Sequence, residues 1–183
     1  MKYEVSFFLR PIGNKHPHGV MSLFQIYEYL RHNNGRRATE ELRQLTDKDE
    51  RRAYKSSHFD YVTFSGTFAY CNDQSLVKHS RLLCMDLDEL GDRVEELFQI
   101  LMKHPMTLLL FYSPGGFGLK WVIEIDLSRC DHKTWFTAMR NYLMTTYNLS
   151  ENQVDKSCSN VSRACYLGYD PDAHLRGDLI EYF

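Results

Sequence analysis

Residues 107–126 limit the architecture more than any other stretch of the chain. Thr107 to Tyr112 is a continuous run of chain-buried character, Thr-Leu-Leu-Leu-Phe-Tyr, the signature of a strand covered on both faces. Ser113-Pro114-Gly115-Gly116-Phe117-Gly118 then makes a turn, rich in the residues that punctuate strands. The chain returns with alternation: Leu119, Trp121, Ile123 and Ile125 face one way, and Lys120, Val122, Glu124 and Asp126 the other. Two strands joined by so short a turn must pair antiparallel, which excludes a purely parallel, doubly wound sheet.

The remaining elements agree with an α+β domain. Tyr3 to Leu9 reads as a strand ended by Pro11 and Gly13. Ser22-x-x-Gln25 resembles a capping box before Leu23, Ile26, Tyr27 and Leu30 at helical spacing, and Asn33-Asn34-Gly35 stops that helix. Residues 39–55 are charged and helical, with a break and a new cap at Thr46. Tyr61 to Phe68 is a strand interrupted at Ser65-Gly66, and Leu82 to Asp88 is a central strand. Gly91 to His104 is a helix with Val94, Leu97, Phe98 and Leu101 inward. Asp131 caps a helix that buries Trp135, Met139, Tyr142, Leu143 and Thr146. Arg163 to Tyr169 and Asp178 to Phe183 are the last strands, and Asp170-Pro171-Asp172 is a turn. The expected arrangement is a mainly antiparallel sheet with helices packed on one face, leaving the other face free to hold a site.

Chemistry concentrates at three places. Leu82-Leu83-Cys84-Met85-Asp86-Leu87-Asp88 is an apolar strand ending in two carboxylates on one face. Their Cβ atoms are roughly 6–7 Å apart at strand spacing. Like charges so placed call for a cation, and a shared divalent ion fits. The glycines of the 113–118 turn allow backbone N–H groups to approach an anion, with Ser113 adding a hydroxyl and Lys120 an ammonium. The plainer alternative is a flexible hairpin turn. Finally, Asp155 in the polar stretch Val154 to Arg163 completes a three-carboxylate set, and Arg163 is placed to hold a triphosphate.

Composition sets the frame. The 183 residues make one domain with a net charge of -2, so any attraction to nucleic acid must come from a local basic face. Arg36, Arg37, Arg51, Arg52 and Lys55 are the candidates, against the plainer reading of a solvated helix surface. The five widely spaced cysteines include no C-x-x-C, which points to small core side chains in a reducing cytoplasm rather than a disulfide framework or a typical zinc site. No apolar run is long enough to span a membrane and no signal-peptide pattern opens the chain. G-x-x-x-x-G-K-[ST] is absent, which excludes a P-loop, and the glycines do not open a helix, which excludes a dinucleotide fingerprint. His16-Pro17-His18 lies in a loop and reads as structural rather than as part of a nuclease site.

In combination, Phe64-Ser65-Gly66-Thr67-Phe68, Met85-Asp86-Leu87-Asp88, Ser113 through Lys120, and Ser162-Arg163 through Tyr169-Asp170-Pro171-Asp172 are similar to motifs of the archaeo-eukaryotic primase and primase-polymerase superfamily. The likeness is nearest to the primase-like N-terminal domains that precede virulence-associated-E-type helicases on mobile elements. That resemblance implies an RRM-like catalytic core. Asp86, Asp88 and Asp155 would be the catalytic metal ligands for Mg²⁺ or Mn²⁺, and Ser113, Gly116, Gly118 and Lys120 would contact nucleotide phosphates. It further implies a single-stranded template, nucleoside triphosphates and a helicase domain or subunit as partners, with the present chain as one domain of a longer protein. Lys120 stands where most members carry histidine; lysine keeps the positive charge but not the titration near neutrality. The expected function is therefore metal-dependent nucleotidyl transfer of the primase-polymerase type. Its alternative is a non-catalytic module that binds single strands and orients a helicase.

Overall fold

The computed structural model describes residues 3–180. Among them are five α-helices and short strands that all pair antiparallel. Strands β1 (Val5–Phe8) and β2 (Gly19–Met21) lead to α1 (Leu23–His32). The capping box is present: Ser22 Oγ accepts from Gln25 N and Gln25 Oε1 accepts from Ser22 N. Helices α2 (Arg36–Gln44) and α3 (Lys48–His58) follow. The cap of α3 is Asp47, one residue beyond the expected Thr46, and its carboxylate accepts from both Asp49 N and Glu50 N.

The interruption at Ser65-Gly66 separates β3 (Tyr61–Thr63) from β4 (Gly66–Phe68), which pairs with β5 (Leu76–His79) in a hairpin of its own. Then come β6 (Leu82–Leu87), α4 (Val94–Met102), β7 (Thr107–Tyr112), β8 (Leu119–Glu124) and α5 (His132–Tyr147). Asp131 caps α5 as expected, its carboxylate oxygen accepting from Thr134 N, and Asn148 ends it in the left-handed region. The chain closes with β9 (Cys165–Tyr166) and β10 (His174–Leu175).

Two four-stranded sheets result, ordered β2-β1-β3-β9 and β10-β7-β8-β6. In the second, β6 and β7 run parallel with β8 between them, joined through α4: a split β-α-β unit. Helices α4 and α5 cover one face through Leu97, Leu101, Phe136 and Leu143, packed on Leu83, Met85, Leu87 and Trp121. Trp121 Nε1 donates to Thr107 Oγ1, so the largest buried side chain keeps its polar atom satisfied.

The opposite face is not free, as expected from sequence, but buried. Leu82, Leu109, Phe111 and Val122 pack against Val5, Phe7, Val62 and Ile26 of the other sheet and α1. Its residues are apolar between Asp86 and Lys120 at one end and Glu124, which accepts from Tyr3 and Arg81, at the other, so burial of the rest is the favourable outcome.

The last two expected strands are corrected. Only Cys165–Tyr166 stays in the sheet, because Tyr169 N turns to Thr39 Oγ1 and Asp170 N to the Leu30 carbonyl. Residues Gly177–Leu179 form a 3₁₀ turn, and 181–183 lie outside the described residues. Strands β2, β5 and β10 gave no sequence signal; β2 and β5 are short, and Val20 and Val77 stand exposed on them. His16 and His18 make ring contacts with Tyr70 and Phe7 at the surface, in keeping with a structural role. Among the described residues no helix is long and apolar enough to cross a membrane.

Candidate functional site

The register of β6 against β8 places Asp86 directly opposite Lys120. On this shared face Asp86 Oδ2 and Lys120 Nζ form an ion pair, and the two residues are only 7% and 8% exposed. Burial acts to lower the Lys120 pKa, but the Asp86 carboxylate outweighs it and holds the ammonium charged well above its ordinary range. The cation that two neighbouring aspartates demand is thus supplied in part by the chain itself. Lys120 is committed to Asp86 rather than projecting from the hairpin. Asp86 Oδ1 is buried and has no hydrogen-bond partner among the described residues.

Asp155 arrives by a short extension of the sheet. Leu87 and Val154 form an antiparallel bridge beside the end of β6. Asp88 N donates to the Gln153 carbonyl and Asp155 N to the Asp86 carbonyl, both at 3.0 Å. This backbone pairing sets Asp155 against Asp86. Asp155 Oδ1 accepts from Ser157 N at 2.9 Å, and Oδ2 accepts from Ser157 Oγ and Arg163 Nη2 at 2.6 Å each. Burial would raise its pKa, but these donors and the Arg163 charge hold it below the usual carboxylate range. Arg163, expected to hold a triphosphate, instead pairs with Asp155. Asp88 sits just past the strand, where burial and the Asp86 charge push its carboxyl up. A group so shifted is one that an added cation would relieve.

Asp86, Asp88, Lys120 and Arg163 open onto a cleft of about 660 Å³ between the 113–118 hairpin and α3. Lys48, Arg51 and Lys55 line it from the helix side, and Ser113 and Gly118 from the hairpin. Burial and the Lys120 charge lower the Lys55 pKa. Of the basic residues singled out in the sequence, Arg36 and Arg37 are spent on surface pairs with Glu40 and Glu41, four residues on. Arg51 and Lys55 face the cleft.

The hairpin is less of an anion cradle than its glycines suggest. Ser113 N donates to the Gly118 carbonyl and Gly116 N to the Ser113 carbonyl, closing the turn internally. Gly116 has a positive φ of 80° and lines a separate cleft on the hairpin's far side, with Arg43, Tyr112 and Tyr169. Gly118 is required by packing: a Cβ there would run into the Leu87 carbonyl at the end of β6. Arg43 Nε and Arg51 Nη2 donate to the Pro114 and Gly115 carbonyls at 3.3 Å, holding the hairpin in place, and the Arg51 guanidinium lies 4.7 Å from the Phe117 ring centre.

One residue escaped the sequence reading. The Cys158 Sγ and one carboxylate oxygen each of Asp86 and Asp155 all lie within 4.8 Å of one another. The signal was the three-residue step from Asp155 to Cys158 within a 3₁₀ turn over Lys156–Ser159, where residues three apart eclipse. All five cysteines are free thiols.

Residues 53–174, about two thirds of the chain, match the model of the family described as BT4734-like, N-terminal domain. No curated protein matches, and no solved structure does. No primase-polymerase family model matches, so the membership expected from the resemblance is overturned. The motifs that suggested it are short, and each has a local structural cause here. Asp86 and Asp88 end a strand, Gly118 clears a carbonyl, and Asp170 accepts from Tyr112 N and Asp172 N to close a turn. Such requirements recur in unrelated antiparallel sheets.

Proposed function

Because the chain belongs to the BT4734-like N-terminal domain family, whose name states no chemistry, we propose its function from the cleft: divalent-metal-dependent nucleotidyl transfer, with phosphates held between the hairpin and α3. The observation that carries this reading is the Leu87–Val154 bridge, which sets Asp155 against Asp86, next to a cleft lined by Asp86, Asp88 and basic side chains. Asp86 and Asp88 line the cleft and Asp155 stands beside Asp86, an all-oxygen set that suits Mg²⁺ or Mn²⁺. Asp86 Oδ1, without a partner among the described residues, and the raised pKa of Asp88 mark a demand for positive charge. When bound, such ions lower the pKa of an attacking hydroxyl and shield a leaving phosphate.

The chain's own residues do the rest. Lys120 fixes Asp86 by an ion pair, and Arg163 orients Asp155. Arg51 and Lys55 meet phosphate charge, and Phe117, 52% exposed at the hairpin tip, offers a ring face for a base. Of the RRM-like expectation we retain only the split β-α-β wiring. The helicase partner and mobile-element setting came with the overturned resemblance and go with it.

A second reading, a non-catalytic single-strand-binding module, is favoured by one observation: Asp86 and Asp155 are each already paired with an internal cation. One experiment separates the two. Template-dependent incorporation of labelled nucleotides is measured with Mn²⁺ for the wild type and Asp88→Asn, alongside anisotropy binding of a single-stranded oligonucleotide. Transfer reduced by orders of magnitude in Asp88→Asn, with binding retained, supports the enzyme reading. No transfer by the wild type, with binding that weakens with salt by about 0.7 log units per phosphate contact and per decade of salt, leaves the binding module. Absence of both activities overturns both.

A further inference from the structure

Asp86, Lys120 and Arg163 line both the cleft and a second, much smaller cavity of about 20 Å³. Asp86 and Cys158 line it, with Lys120 and Arg163, while Asp155 lies outside its lining. That volume holds one water molecule or one ion and nothing larger. Three donor atoms converge within 4.8 Å of one another: a carboxylate oxygen of Asp86, one of Asp155, and Cys158 Sγ. Ligands on a common tetrahedral ion, at about 2.0–2.3 Å from it, stand about 3.5 Å apart, so the present spacing closes on an ion by side-chain adjustment alone.

Two observations beyond proximity point to a ligand. Asp86 is 7% exposed, and its Oδ1 is a buried acceptor with no partner among the described residues. A buried, charged acceptor left unpaired is costly, and a cation is its natural complement. Secondly, the two internal cations leave room for one. Lys120 takes Asp86 Oδ2, and Arg163 takes Asp155 Oδ2 while Asp155 Oδ1 accepts, among the described residues, only the single Ser157 N–H, so each carboxylate is fixed as outer partners fix metal ligands and keeps a lone pair free. The backbone is also organised for it. Asp155 caps the 3₁₀ turn that carries Cys158, and Cys158 N donates to the Asp155 carbonyl at 3.4 Å.

We propose that Asp86, Asp155 and Cys158 form a mixed oxygen–sulfur site for a single divalent cation of the zinc class, Zn²⁺ or its spectroscopic substitutes Co²⁺ and Cd²⁺, buried beside the cleft. A sulfur ligand selects against Mg²⁺, so this position is distinct in its chemistry from an oxygen-lined position at the cleft. Asp86 and Asp155, each with lone pairs on both oxygens, are common to the two, and Asp88 and Cys158 tell them apart. The nearby ammonium and guanidinium weaken the attraction without occupying the thiol. The site stands whether or not the domain transfers nucleotides.

The test is a Co²⁺ titration of the reduced, chelator-treated full chain, read by the thiolate-to-cobalt charge-transfer absorption, with Cd²⁺ in parallel. The wild type should saturate at one equivalent, and excess Mg²⁺ should not displace the band. Cys158→Ser should abolish it, and Asp155→Asn should weaken binding more than about tenfold, the least that the loss even of a supporting partner costs. Cys130→Ser, Cys84→Ser and Asp88→Asn should retain it; the last separates this site from the catalytic reading. No band in the wild type, or a band that survives Cys158→Ser, overturns the proposal. Should that variant fail to fold, crystals of the wild type soaked in Zn²⁺ decide: an anomalous peak among the three side chains supports the site, and none there overturns it.

Discussion

At Asp86 and Lys120 two opposite charges are held with side chains only 10% exposed each. Pairs of this kind are poor sources of net stability, yet breaking one by removing a single partner costs about 3–5 kcal/mol, because the other charge is left buried and uncompensated. Lys120→Met is therefore expected to lower the urea-unfolding free energy by that amount. Asp86→Asn should also destabilise, since it strands the Lys120 ammonium. On sequence alone the opposite sign follows for Asp86→Asn, from relief of carboxylate repulsion with Asp88. The cross-strand lysine reverses it. The double change Asp86→Leu with Lys120→Met should recover most of the loss. If urea melts show Lys120→Met as stable as the wild type, the pair is not a buried ion pair in solution.

Among the elements, the hairpin and the end of β6 depend on two backbones in close approach. Gly118→Ala would place a methyl group against the Leu87 carbonyl and is expected to cost about 1–3 kcal/mol, as overpacking does. Gly13 is the control. A Cβ there meets nothing within 4 Å, so Gly13→Ala should be neutral or gain about 0.4–1 kcal/mol through the unfolded state. Thermal melts of the two variants test this, and equal melting points would mean that the contact is not formed. Much at this scale was legible: the capping box at Ser22, the Asp131 cap, the 107–126 hairpin and the interruption at Ser65-Gly66 are local, and local chemistry writes them. Strands β2 and β10 were not legible, because three- and two-residue strands are made by the partner they join rather than by their own pattern.

Across the whole molecule, the β4–β5 hairpin meets α5 through two histidines. Arg81 N donates to His79 Nδ1, His79 Nε2 faces His132 Nδ1 at 3.2 Å, and His132 Nε2 faces the Cys158 carbonyl. The chain is consistent only if both rings are neutral, each carrying its proton on Nε2. Burial pulls His79 down to about 4 from its ordinary 6.5, with His132 adding to the shift, and burial lowers His132 as well. Between those two values the unfolded chain binds more protons than the folded one, so stability rises with pH and is lost as pH falls from 6.5 toward 4. Asp170, raised to about 6 by burial, acts with the opposite sign over much of that window, so the comparison must be with a variant that retains it. The fall in urea-unfolding free energy from pH 7 to pH 4.5 should be smaller in His79→Gln than in the wild type; an equal fall would remove the histidine pair from the acid response. The split between sequence and structure follows the range of the interactions. Caps, turns, the hairpin and the alternation that sets Asp86 and Lys120 on one side of their strands act over a few residues, and all are present in the order of the side chains. Which sheet face is covered, that Lys120 pairs with Asp86, that Arg163 pairs with Asp155 and that Cys158 joins them depend on register and on the bridge from Leu87 to Val154. Those are contacts between residues far apart in the chain, and only the packed tertiary structure decides them.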